Sequence, residues 1–216
     1  MEINISAVAE AVLKAIESNG GISDDSYNIP VGISNRHIHL CREHIDILFG
    51  ANYQLNPIKD LSQPGQYACK ELLTIVGPSL KPIENVRVLG PERSKSQVEI
   101  SRTDSFTLKV KPPVRESGNI AGSAPITIIG PKGVVTLKEG CIIANRHIHM
   151  SLEDGENFGV KDGDFVTVDA IGERRTRFFD VQVRVDKNFR LEMHLDTDDA
   201  NAAGLKNGSK VKISDK

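Results

Sequence analysis

The 216-residue sequence lacks the features that mark membrane, secreted and nucleic-acid-binding proteins. No stretch approaches the roughly eighteen consecutive apolar residues of a membrane-spanning helix, and the N-terminus has no charged segment followed by an apolar run. The formal net charge is −2 and there is no long basic block, which argues against a phosphate-backbone partner. Three scattered cysteines (Cys41, Cys69 and Cys141) form no Cys-x-x-Cys pair and no even set of disulfides. We therefore expect a cytoplasmic protein in a reducing compartment, with neither nucleic acid nor membrane as a partner.

The pattern of apolar residues predicts a helix followed by β-rich structure. Apolar residues recur at helical spacing over positions 3–17, and residues 42–49 predict one short internal helix. Elsewhere, short alternating runs are separated by Gly-Pro pairs, which is typical of β-barrels and sandwiches. Residues 160–168 resemble residues 205–213, since each has an Asp-Gly or Asn-Gly turn that leads into an alternating strand. This repeat favours a small closed barrel, although two ordinary hairpins fit it nearly as well.

One five-residue motif occurs twice, as Asn35-Arg36-His37-Ile38-His39 and as Asn145-Arg146-His147-Ile148-His149. The two copies contain four of the six histidines. On a helix, positions i and i+2 point to nearly opposite sides. On a strand they share a face, while the residue between them turns into the core. The repeat therefore predicts two strands, each with a metal-binding face.

Strand alternation supplies two further candidate ligands. In residues 97–101 the apolar side chains share one face, which leaves Glu99 on the polar face. In residues 191–195 the same phase leaves Glu192 and His194 on the polar face. Five imidazoles and one carboxylate are enough for two three-ligand sites that each keep an open position. This ligand set suits zinc, with Fe, Ni, Co and Mn as alternatives.

Basic residues near these motifs are candidate anion ligands. Arg93 is the best placed, because a strand that starts near Ser96 brings it close to Glu99. An arginine beside a metal-bound reactant can donate two hydrogen bonds to phosphate or carboxylate oxygens. Further candidates, each of which is more often simply solvated, are Arg36, Lys59, Lys70, Arg87 and Arg146.

Four motifs together resemble the PduL-type phosphotransacylases, which are phosphate propanoyltransferases. They are N-R-H-I-H-L from Asn35, G-P-E-R-x-x-x-Q-V-E-I-S-x-T-D from Gly90, N-R-H-I-H-M from Asn145 and L-x-M-H-L-D-T-D-x-A-N-A from Leu191. The motifs occur in the family's order with matching spacing. The resemblance runs over residues 29–213, nearly the whole chain beyond the predicted N-terminal helix.

The resemblance implies a mainly β fold with two small β-barrels, capped by short α-helices and preceded by an N-terminal amphipathic helix. The expected units are a helical extension at residues 1–22, a first barrel from residues 28–35 plus 145–216, and a second barrel from residues 36–144. In microcompartment members of the family a similar extension is an encapsulation peptide, whereas a helix that caps the core fits residues 1–20 about equally well. The protein is thus expected in the cytoplasm, either free or inside a bacterial microcompartment whose shell or core the helix contacts.

The resemblance also implies the reaction and the roles of residues. Acyl-CoA plus phosphate would give acyl phosphate plus free coenzyme A, reversibly, with propanoyl or acetyl as the acyl group. Of two divalent metal ions, expected to be zinc, the one near the CoA sulfur would be held by His37, His39 and Glu99. The other would be held by His147, His149 and His194. Arg93 would bind phosphate. The CoA path would be lined by Ser34, Lys59, Arg87, Leu89, His194 and Asn201, with Phe106 near the substrate pocket.

The residues themselves are compatible with three functions. The first is the transacylase, with direct attack of phosphate on the thioester, because no Ser-His-Asp or Cys-His nucleophile arrangement is evident. The second is a dimetal hydrolase of thioesters or phosphoesters, which would form free acid whether or not phosphate is present. The third is a non-catalytic metal-binding barrel. The expected partners are acyl-CoA and phosphate, and a homo-oligomer is left open.

Overall fold

The computed structural model describes residues 28–215, so the predicted N-terminal helix lies outside the described residues. Within them, the strands are β1 (Ile29–Ser34), β2 (His37–His39), β3 (Pro57–Asp60), β4 (Tyr67–Val76), β5 (Pro82–Gly90), β6 (Gln97–Glu99), β7 (Val114–Arg115), β8 (Ala124–Ile129), β9 (Val134–Ala144), β10 (His147–Met150), β11 (Phe165–Ala170), β12 (Thr176–Val185), β13 (Glu192–Asp196) and β14 (Lys210–Asp215). The helices are α1 (Arg42–Phe49), α2 (Arg102–Leu108), α3 (Leu152–Phe158) and α4 (Thr197–Ala203). The mainly β fold is confirmed, and so is the internal helix predicted over residues 42–49. Among the described residues, no helix is long and apolar enough to cross a membrane.

The strands close two six-stranded barrels. The first barrel has the ring order β1-β13-β10-β12-β11-β14. In the second barrel the order is β4-β5-β2-β6-β9-β8, and β8 closes the ring because it pairs with both β9 and β4. β3 and β7 extend this sheet beside β4 and β9. The strands that follow the two Asp-Gly or Asn-Gly turns, β11 and β14, pair with each other, which confirms the closed-barrel interpretation of that repeat.

Both barrels share one pattern of strand pairing. β2 lies between parallel β5 and antiparallel β6, and β10 lies likewise between parallel β12 and antiparallel β13. The next neighbour is again parallel in both cases, β9 beside β6 and β1 beside β13. The first barrel therefore includes β1, and the chain crosses between the barrels at Asn35-Arg36 and again at Asn145-Arg146. Each copy of the repeated motif thus begins at a crossing.

Each barrel has its own apolar core. Ile38 lies in the core of the second barrel and Ile148 in that of the first, and both are 0% exposed. Burying such a side chain stabilises the fold by about 1.5–3 kcal/mol. Because each isoleucine points inward, strand alternation sends the flanking histidines outward, to the cleft between the barrels. The predicted strand conformation of both motifs is therefore confirmed.

Three of the helices begin at a polar side chain that satisfies free backbone N–H groups. Ser101 precedes α2 and Ser151 precedes α3, and each forms a capping box with the aspartate three residues later. Asp196 precedes α4 and accepts a hydrogen bond from the backbone N–H of Asp199. The caps fix the first turns of α2 and α4, which the crossing arginines contact.

The loop between β3 and β4 fastens the second barrel to the first. Gln63 Nε2 donates to Arg190 O at 3.0 Å, and Arg190 N donates to Gln63 Oε1 at 3.1 Å. Beside this pair, the Ser62 hydroxyl donates to the Glu192 carboxylate. These contacts cross the gap between the barrels at the edge of the cleft that holds the histidines.

Candidate metal centre and anion-binding cleft

The first histidine group consists of His37, His39 and Glu99, on adjacent strands of the second barrel. β2 carries both histidines, and its antiparallel register with β6 sets His37 opposite Glu99. One ligand atom from each residue lies within 4.8 Å of the others. His37 Nε2 is 3.5 Å from Glu99 Oε2, and all three residues are buried. This spacing allows the group to hold one metal ion.

The second histidine group consists of His147, His149 and His194, on adjacent strands of the first barrel. The antiparallel register of β10 with β13 sets His194 opposite His147. Their rings stack with centroids 5.0 Å apart, and the His149 ring lies edge-on to both. The ligand atoms again lie within 4.8 Å of one another. The same register therefore builds both groups, with a carboxylate in one and a third imidazole in the other.

The two crossings orient the first histidine of each motif. His37 Nδ1 lies 2.8 Å from Asn35 O, and His147 Nδ1 lies 2.9 Å from Asn145 O. A carbonyl oxygen can only accept a hydrogen bond, so Nδ1 carries the proton in both rings. In His147 this leaves the Nε2 lone pair available to a metal, as expected for a ligand whose other nitrogen is held by a carbonyl, whereas His37 Nε2 lies 3.5 Å from Glu99 Oε2.

The arginine in each crossing is paired with a carboxylate of a neighbouring helix. Arg36 forks onto Asp104 in α2, with Nε 2.8 Å from Oδ2 and Nη2 2.7 Å from Oδ1. Arg146 Nε lies 2.8 Å from Asp199 Oδ2 in α4. Two candidate anion ligands from the sequence therefore have a structural partner already, and they anchor the backbone that carries the histidines.

Three of the histidines are held neutral. Burial lowers the pKa of His39 to about 3, that of His147 to about 4 and that of His149 to about 2. The Nδ1 atoms of His39 and His149 are buried and have no hydrogen-bond partner within residues 28–215. Neutral imidazoles with unpartnered lone pairs are ready metal ligands. Both groups thus fit a divalent cation.

Glu99 is held as an ionised carboxylate. Burial alone would raise the pKa of this carboxyl, but the charge and hydrogen bond of His37, together with His39 and Ser117, outweigh burial and keep the pKa far below its usual range. Burial likewise opposes protonation of His37, yet the Glu99 charge raises the pKa of that imidazole above its ordinary value. Glu99 Oε1 accepts hydrogen bonds from Gln97 Nε2 at 2.6 Å and from Ser117 Oγ at 2.7 Å. Two donors therefore fix the orientation of the candidate ligand.

A cleft of about 670 Å³ lies between the barrels and contains residues of both histidine groups. Glu99 and His147, from different barrels, also border one smaller space of about 30 Å³, so the two groups face each other. The cleft lining includes most of the residues that the family resemblance implied for phosphate and CoA, namely Ser34, Lys59, Arg87, Leu89, Arg93 and His194.

Two residues implied by the resemblance lie elsewhere in the described structure. Phe106 is on α2 with 68% of its surface exposed, and Asn201 is exposed on α4. Neither is among the described residues that line the cleft. Their positions place both side chains on the outer surface of the chain.

Arg93 lies beside the first histidine group. Its backbone N–H donates to Leu40 O at 2.8 Å. Its Nη1 donates to Ser117 Oγ at 3.1 Å, and Ser117 in turn donates to Glu99. Burial lowers the pKa of Arg93, the Glu99 charge opposes this, and the Arg184 charge adds to it. A half-buried guanidinium between a carboxylate and another guanidinium is well placed to bind an anion.

The cleft also includes residues that the sequence pattern did not bring forward, among them Gln63, Ser117, Arg184 and Phe189. A signal for Arg184 exists, because residues 181–185 alternate strictly and place it on a polar strand face. Nothing local indicates that this strand pairs with β10, where Arg184 lies in register with His149.

Comparison with known proteins points to one family. The family model described as phosphate propanoyltransferase matches residues 30–206, which include both histidine groups. A phosphate propanoyltransferase of Lachnoclostridium phytofermentans is 53% identical over 214 residues, which is 99% of this chain and 100% of the relative. One from Thermotoga maritima is 58% identical over 86% of this chain and 88% of the relative. One from Priestia megaterium is 48% identical over 95% of this chain and 94% of the relative.

Proposed function

The chain belongs to the phosphate propanoyltransferase family, and from that premise we propose that it interconverts short-chain acyl-CoA plus phosphate with acyl phosphate plus CoA, assisted by two divalent metal ions. Membership makes it an acyltransferase, as the four sequence motifs indicated. The observation that carries the metal-assisted reaction is the pair of histidine groups that face one cleft together with Arg93.

The charges of the cleft support anionic substrates. Its basic lining residues are Lys59, Arg87 and Arg93, together with Arg36 and Arg184, which are paired with Asp104 and Glu116, and its acidic ones are Asp60, Glu99 and Glu192. Arg87 is fixed by hydrogen bonds from Nη1 to Cys69 O and Lys70 O, at 2.9 and 3.1 Å. Phosphate and CoA are both anions, so a cleft with this balance of charge would attract each of them.

The two histidine groups would each hold one ion, with zinc favoured by a set of imidazole and carboxylate ligands. When bound, the ions would supply Lewis acidity for the thioester carbonyl and for the departing thiolate. The protein's own part is to keep His39, His147 and His149 neutral by burial. It also orients His37 and His147 through the backbone carbonyls of Asn35 and Asn145.

We propose direct attack of phosphate on the thioester, without an acyl-enzyme. The hydroxyls of Ser62 and Ser117 in the cleft donate to carboxylates rather than to a histidine base. Burial raises the pKa of Cys69 to about 11 and that of Cys141 to about 12, so both thiols stay protonated. Arg93 would hold phosphate next to the thioester so that it outcompetes water. Intact-mass measurement after incubation with acyl-CoA, without phosphate, should detect no acylated protein; a stable adduct would contradict direct attack.

The proposed function is tested by thiol release from propanoyl-CoA and acetyl-CoA, with and without phosphate, on a sample of known metal content. The transacylase releases CoA only with phosphate and forms acyl phosphate in equal amount. A dimetal hydrolase releases CoA and free acid in both conditions. A metal-binding domain without activity contains metal but releases no CoA, and either of these last two results would overturn the proposal.

The preferred acyl group can be measured in the same assay. Propanoyl and acetyl differ by one methylene, which a pocket discriminates by about 1–3 kcal/mol. We propose that both thioesters are substrates, with propanoyl-CoA favoured in kcat/KM, as the family description indicates. A preference for acetyl-CoA would assign the acyl group differently and leave the reaction unchanged.

We also propose that residues 1–20 direct the enzyme into a bacterial microcompartment of the cytoplasm. The support is the helical spacing of Ile5, Val8, Val12, Leu13 and Ile16 ahead of the matched family region. Fusion of residues 1–20 to a fluorescent protein should give foci that coincide with assembled shells. Diffuse fluorescence beside intact shells would argue for a helix that caps the core. The mass of the full chain in solution would establish whether it forms a homo-oligomer.

A further inference from the structure

We infer that Arg184 is a second phosphate-binding residue, which faces Arg93 across the cleft from the opposite barrel. This inference rests on the proposed function, since it assigns a role toward the phosphate substrate of the same site. Arg93 comes from the loop that precedes β6 in the second barrel, whereas Arg184 comes from β12 in the first. Both line the cleft.

Each histidine group has one of these arginines beside it. The parallel register of β10 and β12 sets Arg184 next to His149. Arg184 and His149 line the cleft from the first barrel, as Arg93 and His39 do from the second. The two groups therefore have matching neighbours, although Arg93 and Arg184 lie at different points of the shared strand pattern.

Arg184 is held in a defined orientation by two neighbours. Its Nε lies 3.1 Å from Oε1 of Glu116, a residue of the second barrel, so this ion pair joins the two barrels. Its Cζ lies 5.6 Å from the centre of the Phe189 ring, and that ring packs against His149 with centroids 4.3 Å apart. Glu116 contacts Nε of the guanidinium, so the Nη atoms can donate hydrogen bonds to a substrate.

Two facing guanidinium groups imply a ligand with more than one negative charge. Arg93 and Arg184 line the same cleft from opposite barrels, so their positive charges repel each other. Glu99 offsets part of this repulsion, but it also faces His37. A phosphate dianion can accept hydrogen bonds from both guanidinium groups at once and neutralise both charges. The acyl thioester is uncharged at the reacting centre and would not reduce the repulsion between the two guanidinium groups.

The test is steady-state kinetics of the metal-loaded full chain with Arg184→Gln and Arg184→Lys. The matched control is Arg177→Gln, since Arg177 lies on the same strand but is 55% exposed in its side chain and is not among the described residues that line the cleft. We expect Arg184→Gln to raise KM for phosphate about 10- to 100-fold, with KM for acyl-CoA changed by less than about twofold. Arg184→Lys should recover part of the loss, and Arg177→Gln should match the parent protein.

Metal content and phosphate affinity separate the outcomes. An unchanged KM for phosphate in an active Arg184→Gln protein would overturn the inference. A rise confined to KM for acyl-CoA would assign Arg184 to the CoA phosphates, and loss of bound metal would assign it a structural role; either result also overturns it. If the parent protein shows no phosphate-dependent release of CoA, the proposed function fails instead. Calorimetric titration of inorganic phosphate into parent and Arg184→Gln proteins then decides the inference, which requires about tenfold or more weaker binding in the variant.

Discussion

Glu99 and His194 occupy the same position in the two barrels: Glu99 lies opposite His37 on β6, and His194 lies opposite His147 on β13. The two histidine groups therefore share one backbone frame and differ in one ligand. As a ligand, Glu99 would neutralise one charge of a divalent ion. In the second group the Glu192 carboxylate lies 3.0 Å from His194 Nε2, so a negative charge lies beside that group as well.

This equivalence predicts that Glu99→His retains a metal site that Glu99→Ala loses. In the Glu99→His protein both groups would present three imidazoles on the same frame, so we expect two metal ions per chain. Glu99→Ala should hold about one, and its transferase activity should fall by more than about a hundredfold. Inductively coupled plasma mass spectrometry and the phosphate-dependent assay measure both effects. Equal metal loss in Glu99→His and Glu99→Ala would show that the shared strand register does not determine which side chain can act as the third ligand.

The candidate ligands could be predicted from the sequence because their placement on strand faces depends on local alternation. The strand period sets His37 and His39 on one side of Ile38, and the same phase identifies Glu99 and His194. Each of these predictions needs only a few consecutive residues. The helix over residues 42–49 was predictable for the same reason, since its apolar spacing and terminal glycine are local features.

Pairing between distant strands could not be found in this way. The position of Arg184 beside His149 depends on the register of β12 with β10. The position of Gln63 depends on its contact with the backbone of the other barrel. Neither relationship leaves a periodic signal in the sequence. The positions of the two barrels around the cleft likewise depend on where the chain crosses, at Asn35-Arg36 and Asn145-Arg146, and a dipeptide does not encode that path.

The two crossing arginines should differ in their contribution to stability. Arg36 makes two contacts with Asp104, whose side chain is only 5% exposed, whereas Arg146 makes one contact with Asp199, which is 26% exposed. We expect Arg36→Ala to lower the free energy of unfolding by about 2–3 kcal/mol and Arg146→Ala by about 0.5–1 kcal/mol. Urea denaturation of the two variants side by side provides the comparison. The reverse order would mean that burial of the aspartate does not set the strength of the anchor.

Gln63 should stabilise the contact between the barrels. Its side chain is 3% exposed, and it exchanges two hydrogen bonds with the backbone of Arg190. Gln63→Ala should lower the free energy of unfolding by about 2 kcal/mol, and Gln63→Glu by more, because a carboxylate would then face the Arg190 carbonyl. Gln54→Ala, at an exposed glutamine, is the control and should change it by less than about 0.5 kcal/mol. Equal effects at Gln63 and Gln54 would contradict a role between the barrels.

Loss of one histidine from either group should remove metal but leave the protein folded. Both His39→Ala and His147→Ala are expected to lose about one metal ion per chain and most transferase activity. The sixth histidine is the control: His44 Nδ1 lies 2.7 Å from Ser96 Oγ, and His44 does not line the cleft among the described residues. His44→Ala should keep both ions and its activity. Circular dichroism and metal analysis distinguish loss of ligand from loss of fold.

The metal-free protein should lose stability as the pH falls below about 6.5. The pKa values of His39, His147 and His149 are lowered from 6.5 to about 3, 4 and 2, so the unfolded chain takes up protons in this range before the folded chain does. Stability from these groups is complete above 6.5 and decreases toward acid. His37 acts in the opposite direction, because its pKa is raised and its contribution is present below 6.5. Three lowered values against one raised value give a net loss, to which the lowered pKa of Glu99 adds only below about 4.5.

Urea denaturation of the chelator-treated full chain at pH 7.5, 6.0 and 5.0 measures this dependence. Each proton of difference between the unfolded and folded chain contributes about 1.4 kcal/mol per pH unit, so the midpoint should fall clearly between pH 6.0 and 5.0. His149→Gln removes one buried neutral imidazole and should flatten the dependence, because fewer protons then separate the two states. A midpoint that stays constant or rises toward pH 5.0 would mean that these imidazoles are protonated in the folded chain, which is incompatible with their proposed state as metal ligands.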